Sequence, residues 1–485
     1  MKSIWCRPTL ALTARCHRMG SELFAWHWVS LHGLVTTLAL GIYLATSHAR
    51  KQRRHPSAAI AWFVSLALMP YLALPLYLLF GSRKVPRSLA GPHPQAAVVT
   101  AAPSNLSRTQ TLASTLGLPP ATSYEHFELH EDGQQARQSL MAVIGSASST
   151  LDICVFVLGH DVLGQAVAMR LMQSAQQGVQ VRLLVDGLGA YLGGSLPWRA
   201  LAAAGVQVAQ FVSPFLSPLP GRTNLRNHRK MVIADGARVW MGGRNLAAEY
   251  FEGDPTSNRG QPAWTDLSFV LSGDIARQAQ FQFHQDWAFA TQTQRIEPAP
   301  PSQASAASPT VQWLPSGPDQ AEDTLYALLI SSCFAAQNRI LAVSPYFVPD
   351  ATLQMALTLA ARRGVAVDLM LPRQSNHRLA DLARHAALRE LTAAGARVWL
   401  VPHMIHAKAV VIDEELALAG SANLDERSLF LNYEVMVAFY LPADIEQFAQ
   451  WMARRREGAQ AYEAKPPSLL RELREGMVRW LAFQL

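Results

Sequence analysis

The chain has 485 residues, of which 50% are hydrophobic and only 16% are charged, and its formal net charge is +7. This length allows two or three domains with a large core. The low charged fraction is typical of membrane association, and the basic balance favours anionic partners, either acidic phospholipid surfaces or nucleic acid. Composition does not decide between those two partners.

The cysteine pattern implies neither a disulfide framework nor a zinc site. The four cysteines are Cys6, Cys16, Cys154 and Cys333, and they include no Cys-x-x-Cys pair. Cys154 and Cys333 lie in apolar stretches, where a thiol behaves as a small hydrophobic group. We therefore predict that these two are buried free thiols.

Two long apolar runs predict an N-terminal membrane anchor. The first extends from Phe24 to about Thr46 and the second from Ser57 to about Phe80, and each is long enough to span a bilayer. The alternatives are a cleaved signal peptide for the first run and a buried soluble helix for the second. The basic loop between the runs favours, weakly, a cytoplasmic loop and a catalytic part outside the cytoplasm. Residues 1–84 are thus predicted to be an anchor with two transmembrane helices.

Composition divides the rest of the chain into two domains and two connecting segments. Residues 85–123 are rich in Pro, Ala, Ser and Thr without an apolar period, which is typical of a flexible tether. The Pro-rich residues 296–310 predict a linker. The first domain is therefore predicted at residues 124–295 and the second at residues 311–485.

The first domain alternates helices and strands. In chain order, the predicted elements are a helix at Ser139–Ile144, a strand at Thr150–Leu158, a helix at Val162–Gln177, a strand at Val179–Val185, a helix at Pro197–Ala204 and a strand at Val206–Phe211. This βαβ alternation predicts a largely parallel sheet covered by helices. A Pro-rich insertion at residues 212–227 follows, and it is either a loop that shapes access to a site or a plain surface loop.

The second domain repeats this order, which indicates an internal duplication. Its predicted elements are helices at Leu325–Ala336, Leu353–Arg363 and Leu382–Ala394 and strands at Arg339–Ser344, Val365–Leu371 and Ala396–Val401. The turn at Gly178 matches the turn at Gly364, and Gly205 matches Gly395. Two similar halves can pack about a pseudo-twofold axis and bring equivalent residues into one cleft.

Each domain carries the same polar motif. The two copies are His228, Lys230, Asp235, Gly242 and Asn245, and His406, Lys408, Asp413, Gly420 and Asn423. In both copies Asp follows His by seven residues, and the glycine follows Asp by seven residues. A titratable base, a fixed cation and an amide donor together suit a bound phosphate.

The residues around each motif also predict the strands and turns that carry it. The residues between His and Asp alternate and are rich in Val and Ile, which indicates a strand with His and Lys on one face. A turn and a second strand, at Arg238–Met241 or Leu416–Ala419, bring the glycine-rich turn back beside them. A lone His-x-Lys is usually a surface pair, but two copies with identical spacing are not explained in that way.

The paired motifs resemble the phospholipase D superfamily, whose signature is two copies of His-x-Lys-(x)4-Asp with a trailing Gly-Gly/Ser-x-Asn. The apolar runs, Trp264-Thr265-Asp266, Ser344-Pro345-Tyr346-Phe347-Val348-Pro349 and Ala422-Asn423-Leu424-Asp425-Glu426-Arg427-Ser428 are similar to bacterial cardiolipin synthases of that superfamily. The resemblance implies an α/β fold: two similar phospholipase D-like halves, each a mixed sheet flanked by helices, preceded by a pair of transmembrane helices. Arg244 departs from the family, which often has a smaller or apolar residue there.

The resemblance also implies a site and a reaction. One His attacks the phosphorus of a phosphodiester and forms a phosphohistidine, while the other protonates the leaving alcohol and deprotonates the incoming one. By this resemblance His228 is the nucleophile and His406 the acid/base. The implied catalytic residues are His228, Lys230, Asp235, His406, Lys408 and Asp413, and the implied phosphate-binding residues are Asn245 and Asn423.

Each His needs a partner that fixes its tautomer. The resemblance assigns Glu434 to His406 and Asp266 to His228, with an ordinary surface acid as the alternative for each. Asp235 and Asp413 are expected to hold the hairpin more than to touch phosphate. No metal and no cofactor is expected.

The leading hypothesis for function is a membrane-bound cardiolipin synthase that converts two phosphatidylglycerol molecules to cardiolipin and glycerol. The alternative in the same superfamily is hydrolysis, by a phospholipase D or a nuclease, and a catalytically inactive membrane scaffold is the alternative of another class. The expected partners are the membrane and anionic phospholipids, phosphatidylglycerol first and phosphatidylethanolamine as an alternative, with no nucleic acid. The expected location is the bacterial inner (cytoplasmic) membrane, as a multi-pass protein.

Overall fold

The computed structural model describes residues 31–47, 56–81, 108–194, 197–212, 224–253, 263–294, 310–320, 323–468 and most of 471–478. The chain divides into two compact units. One consists of Met1–Val85 with Pro218–Asn224, and the other of Pro86–Ser217 with Leu225–Leu485. Residues 296–309 of the predicted 296–310 linker and most of the Pro-rich insertion lie outside the described residues.

The N-terminal unit is helical. It contains α1 (31–47), α2 (Pro56–Leu68) and α3 (Pro70–Phe80). Pro70 lacks an N–H and disfavours helical backbone at Met69, so the second apolar run is divided into two helices. Over the described part of the chain, none of the helices combines the length and the apolar character that a membrane crossing requires.

The first half of the larger unit is built on a seven-stranded mixed sheet in the order β1-β7-β6-β5-β2-β3-β4. The strands are β1 (Phe127–His130), β2 (Thr150–Val155), β3 (Gln180–Asp186), β4 (Gln207–Phe211), β5 (Met231–Ala234), β6 (Arg238–Gly242) and β7 (Ser268–Ser272). The helices are α5 (Gly133–Ser146), α6 (Val162–Gln176), α7 (Gly187–Leu192), α8 (Trp198–Ala203) and α9 (Asp274–Thr291), with a 3-10 turn at Ala248–Tyr250. β2, β3 and β4 are parallel, as predicted.

The second half repeats this arrangement in an eight-stranded sheet, β17-β12-β11-β9-β13-β14-β16-β8. Its strands are β8 (Val311–Ser316), β9 (Arg339–Val343), β11 (Ala366–Pro372), β12 (Arg397–Val401), β13 (Ala409–Ile412), β14 (Leu416–Gly420), β16 (Glu434–Phe439) and β17 (Gln460–Ala461), and β10 (Phe347–Val348) pairs separately with β15 (Leu424–Asp425). Its helices are α10 (Thr324–Ala335), α11 (Ala351–Arg362), α12 (Arg378–Ala393), α13 (Glu426–Phe430) and α14 (Pro442–Arg456). Apart from β17, the strand order matches that of the first half, so the predicted duplication and the predicted α/β fold are confirmed.

Burial explains why these segments become central strands. Leu151, Ile153, Leu183 and Val185 on β2 and β3 are fully buried, as expected for strands that carry helices on both faces of a sheet. Cys154 and Cys333 are buried and free, as predicted. Cys6 and Cys16 lie outside the described residues.

The end of the predicted flexible tether is instead ordered. Residues Arg108–Thr115 form helix α4, and Ala113 and Leu118 are buried in the core of the second half. So few residues of this segment face the core that the sequence shows no apolar period there. The predicted tether at residues 85–123 is therefore wrong at its C-terminal end, and residues 82–107 lie outside the described part of the chain.

Candidate active site

The predicted His-Lys pairs lie just before strands rather than within them. β5 begins at Met231, after Lys230, and β13 begins at Ala409, after Lys408. Met231 pairs with Cys154 near the carboxyl end of β2, because β5 runs antiparallel to β2. Each pair therefore lies where the parallel strands of its sheet end, the usual position of ligand sites in α/β sheets.

Two short backbone pairings join the halves at these positions. The His228 amide donates to the Tyr433 carbonyl at 2.9 Å, and the His406 amide donates to the Thr265 carbonyl at 2.7 Å. Tyr433 directly precedes Glu434, and Thr265 directly precedes Asp266. Each His is thus fixed beside a carboxylate of the opposite half.

The side chains follow this crossed pattern. His228 Nδ1 lies 3.0 Å from Glu434 Oε2, and His406 Nδ1 lies 2.7 Å from Asp266 Oδ2. The predicted pairing of Glu434 with His406 and of Asp266 with His228 is therefore wrong. Its physical reason is the exchange of backbone pairings between the halves, which places each acid against the other half's His.

Both carboxylates are buried and ionised by their neighbours. Burial alone would raise the pKa of Glu434, but His228, Lys230 and a hydrogen bond donated by Ser421 lower it overall. Burial likewise opposes ionisation of Asp266, but His406 and Lys408 hold the pKa of this carboxyl below its ordinary value. An ionised carboxylate at Nδ1 fixes the tautomer that leaves Nε2 as the reactive nitrogen.

The lysines are buried beside the histidines. Lys230 Nζ donates to the His228 carbonyl at 2.7 Å, and Lys408 Nζ lies 3.1 Å from His406 Nε2. Burial lowers the pKa of Lys230 to about 8 and that of Lys408 to about 7. Both lysines interact electrostatically with both Glu434 and Asp266, so the two motifs form one charged cluster.

Burial favours the neutral form of both histidines. Burial lowers the pKa of His228 to about 4, although Glu434 raises it. Burial, with Lys408 as the next cause, lowers the pKa of His406 to about 3. An entering phosphate anion stabilises protonated groups beside it and raises these values.

The two histidines differ in their surroundings. The His228 side chain is 13% exposed, and its Nε2 has no hydrogen-bond partner among the described residues. The His406 side chain is 4% exposed, and Lys408 Nζ lies 2.9 Å from its Nδ1 and 3.1 Å from its Nε2. His228 thus has an Nε2 lone pair that no described residue occupies, whereas His406 lies beside the Lys408 ammonium, which can hold a proton.

Aromatic walls around both histidines were not predicted. The Phe156 ring lies 5.3 Å from the His228 ring, edge-on, and Tyr250 and Trp264 lie 5.0 and 5.6 Å from the His406 ring. All three aromatics belong to the first half, so His406 is enclosed by residues of the other half. The sequence analysis noted Trp264 beside Asp266, but it did not predict the contact with His406, because that contact depends on the pairing of each His with the opposite half.

The two predicted phosphate-binding amides lie in the glycine-rich turns. Asn245 Oδ1 accepts from the Val157 amide at 3.2 Å, and Asn423 Nδ2 donates to Ser428 Oγ at 3.1 Å. Asn423 Oδ1 is buried and has no hydrogen-bond partner among the described residues. Both turns are anchored, so their amides are held in place before any ligand arrives.

Asp235 and Asp413 do not reach the histidines. Asp235 accepts hydrogen bonds from the amides of Ser148, Ser149 and Thr150, ahead of β2. Asp413 binds the equivalent amides, those of Gln337, Asn338 and Arg339, ahead of β9. Seven residues of extended chain, at about 3.3 Å per residue, place each Asp roughly 20 Å from the His of its own motif. As expected, both residues hold their hairpin, by fastening its turn to the neighbouring strand, and their assignment as catalytic residues stays a prediction.

Three buried charged residues near the motifs were assigned no role from the sequence. Arg229 is fully buried, pairs with Asp286 and donates to the carbonyls of Glu434 and Ser316 in the second half. Asp186 accepts from the Asn227 amide at 2.8 Å, just before His228. These contacts fix the His228 segment. Neither Arg229 nor Asp186 has a counterpart in the second half, so the duplication gave no signal for these two residues.

Arg244, which departs from the expected small residue, is also buried. Its Nε donates to the Tyr250 carbonyl at 2.9 Å, and its Nη1 donates to Ser268 Oγ at 3.0 Å. It therefore fixes the segment that carries the aromatic wall of His406. Across the described residues, no cluster of three or more His, Cys, Asp or Glu side chains suits a metal ion.

Comparison with known proteins agrees with this geometry. The family model described as cardiolipin synthase, PLD-like domain, matches residues 140–287 and 329–456, and the phospholipase D-nuclease N-terminal model matches residues 39–82. A cardiolipin synthase of Geobacillus kaustophilus (strain HTA426) is 29% identical over 82% of this chain and 82% of that protein. Cardiolipin synthase A of Pseudomonas entomophila (strain L48) is 31% identical over 87% of this chain and 90% of its own.

A solved structure shares the fold. The phosphatidylserine synthase of Haemophilus influenzae Rd KW20 superposes with a TM-score of 0.60 at 14% identity, over 78% of this chain and all of that chain. Family match, sequence identity over most of the chain and duplicated fold agree with one another. The chain belongs to the phospholipase D-like cardiolipin synthase family.

Proposed function

We propose that the protein is a membrane-bound cardiolipin synthase that transfers a phosphatidyl group from one phosphatidylglycerol to another and releases glycerol. The observation that carries this proposal is the crossed cluster of two histidines, two lysines and two carboxylates contributed by both halves. Such a cluster can grip one phosphate from two sides, with a base on each side of the phosphorus. Relatives over most of the chain are cardiolipin synthases, which supports lipid transfer over other phosphodiester chemistry.

In the first step, His228 Nε2 attacks the phosphorus of the donor lipid. The P–N bond forms as the bond from phosphorus to the glycerol oxygen breaks, and the imidazolium of His406 gives that oxygen its proton. The open Nε2 of His228 supports its role as the nucleophile. The contact between Lys408 and His406 Nε2 supports the acid role, because the ammonium stores a proton beside the imidazole.

In the second step, His406 removes the proton from a hydroxyl of the acceptor lipid. The acceptor oxygen attacks phosphorus, the P–N bond breaks and cardiolipin leaves. Lys230, Lys408, Asn245 and Asn423 stabilise the charge on the phosphate oxygens in both steps. Glu434 and Asp266 keep Nε2 of each His directed at phosphorus throughout.

The apolar N-terminal segments anchor the enzyme in the bacterial inner membrane in this proposal. The match of residues 39–82 to a phospholipase D-nuclease N-terminal model and the exposed Leu34, Leu38, Phe63 and Leu72 support a lipid-facing surface. An anchored enzyme stays at the membrane that contains its lipid substrates. Carbonate extraction of membranes that contain the full chain tests this, since an anchored protein stays in the pellet and a peripheral one is released.

Hydrolysis by the same site is the alternative reaction, because water can replace the acceptor alcohol. Purified full-length protein is supplied with phosphatidylglycerol vesicles, and the lipids are analysed by mass. Cardiolipin with free glycerol supports transfer, whereas phosphatidic acid without cardiolipin contradicts it. His228→Ala and His406→Ala are expected to abolish turnover, and His126→Ala, an exposed histidine outside the cluster, is expected to leave it unchanged.

A further inference from the structure

A second cationic cavity lies outside the cluster of histidines and lysines. It has a volume of about 380 Å³ and is bounded by the loop after β11, by α12, by β12 and by Tyr462. Its charged lining residues are Arg373, Arg378, Asp381 and Arg384, which leaves a positive excess. The catalytic mechanism uses none of them.

The base of this cavity is a buried guanidinium. Arg384 is 3% exposed, and it donates to the carbonyls of Pro372 and Arg373 at 2.9 Å each. Asp381 balances it at 3.0 Å. Its Nε is nevertheless buried without a hydrogen-bond partner among the described residues. A buried charged donor that lacks an acceptor is costly, and an anion in the cavity that Arg384 lines would offset this cost electrostatically.

The rim adds two cations and a second unpaired polar atom. The side chains of Arg373 and Arg378 are exposed and have no hydrogen-bond or ion-pair partner among the described residues. Nδ1 of His385, on the cavity wall, is buried and also lacks a partner there. Guanidinium groups that converge on one space are the common protein arrangement for binding phosphate.

The cavity adjoins the active site through one loop. Tyr346 Oη donates to Asn376 Oδ1 at 2.6 Å, and the Tyr346 ring lies 5.7 Å from that of His377, both in the loop that precedes Arg378. Tyr346 directly precedes β10, and β10 pairs with β15, which begins directly after Asn423. The side chain of Leu379, next to Arg378, is 48% exposed, as suits a residue beside lipid.

We propose that this cavity is a second anion site that binds the phosphate group of a phospholipid headgroup through Arg373, Arg378 and Arg384. The choice of phosphatidylglycerol as its lipid rests on the proposed function, whereas the phosphate chemistry does not. The site places a second lipid phosphate one loop away from the reacting phosphate. A free inorganic phosphate is the other source of the same chemical group.

The test measures how many lipid molecules bind to each chain of the full-length protein in neutral detergent. The His228→Ala background prevents turnover, and dihexanoyl phosphatidylglycerol, a water-soluble short-chain lipid, is titrated by calorimetry. We expect two equivalents per chain. Arg373→Gln with Arg378→Gln weakens one of the two by on the order of a hundredfold, because two charge-assisted hydrogen bonds are lost.

Arg362→Gln is the matched control, since this arginine is exposed at the C-terminal end of α11, shortly before β11 begins, whereas the cavity lies beyond the end of β11. It is expected to retain both equivalents. Equal binding by the double variant and the control overturns the second site. Inorganic phosphate is then added at millimolar concentration. If it displaces the second equivalent alone, free phosphate is the natural ligand of the cavity. If it displaces neither equivalent, the natural ligand is the lipid.

The outcome is separable from the proposed function. The lipid analysis of the unmodified enzyme tests the proposed reaction by itself, because that assay does not involve the arginine variant. Loss of one equivalent in the Arg373→Gln, Arg378→Gln variant supports the cavity as a binding site, whether or not that variant still makes cardiolipin. Two equivalents retained by the variant refute the cavity, and cardiolipin from the unmodified enzyme then leaves the proposed reaction standing.

Discussion

His228 Nδ1 lies 3.0 Å from Glu434, a carboxylate 206 residues further along the chain and in the other half of the molecule. His406 has the reciprocal relationship with Asp266. Neither half can therefore form a complete histidine–carboxylate pair alone. The duplicated halves are joined into one site by the same contacts that orient its catalytic groups.

Crossed pairing predicts crossed kinetic defects. Glu434→Gln keeps an acceptor beside His228 but removes its charge, so formation of the phosphoenzyme should slow by about 10–100-fold. Asp266→Asn acts on His406 and should leave that step intact when the donor is phosphatidyl-p-nitrophenol, whose leaving group needs no acid. Stopped-flow release of p-nitrophenol measures the step, and the opposite pattern would show that each acid serves its own half.

A glycine next to the site should tolerate no side chain. A Cβ at Gly243 would lie 2.2 Å from Asp266 Oδ1, so Gly243→Ala must displace the carboxylate that orients His406. We expect kcat to fall about 10–100-fold with little change in the thermal midpoint. Gly145→Ala is the control, because its Cβ meets only the flexible end of Arg170. Similar activity of both variants would contradict the orienting role of Asp266.

Asp235 should contribute to stability rather than to catalysis. Asp235→Asn preserves the left-handed backbone at φ 53°, which Asn tolerates, but weakens three amide contacts. The expected loss is about 1 kcal/mol in unfolding free energy, at the low end for charged hydrogen bonds because water screens an exposed group. Denaturant unfolding measures it, and kcat should stay unchanged.

The same substitution has a pH signature. Burial raises the pKa of the Asp235 carboxyl, but the three amides lower it by more, so it lies below its ordinary value of 3.8. The stabilisation by the ionised carboxylate is therefore present above pH 3.8 and is lost as pH falls through the pKa of the folded state. The stability difference between Asp235→Asn and the unmodified protein should therefore shrink in acid. A large fall in kcat at neutral pH would show instead that Asp235 takes part in the reaction.

The dependence of kcat/KM on pH should report two buried groups. His228 must be neutral to attack, and burial lowers its pKa to about 4, so activity is lost as pH falls below that value. Lys408 must be charged, and burial lowers its pKa to about 7, so activity falls as pH rises through it. Lys408→Arg should move the alkaline limb upward, since arginine stays protonated, and an unmoved limb would exclude Lys408 as its origin.

The duplication and most elements of the larger unit could be predicted from the sequence. Identical spacing from His to Asp to Gly marks both copies, and the turns at Gly178 and Gly364 mark the repeated helix–strand connection. These signals are local, because periodicity and turn chemistry are properties of neighbouring residues. The same local pattern placed His228 and His406 within strands, whereas each lies just before its strand, where the parallel strands end.

The partners of these residues could not be predicted in the same way. Glu434 and Asp266 occupy equivalent positions in the two halves, so each is an equally good local match for either His. Only the packing of the halves selects the crossed arrangement, and packing depends on tertiary contacts that no short window contains. Arg229 and Asp186 were missed for a related reason, since they have no counterpart in the other copy.

The most direct test of the single shared site is the reaction of phosphatidyl-p-nitrophenol with the His406→Ala variant. This variant keeps the nucleophile but lacks the base that activates the acceptor. We expect a burst of one p-nitrophenol per chain, a stalled second step and a phosphatidyl group attached to His228 by peptide mass analysis. A burst from His228→Ala, or a label on any other residue, would contradict the account.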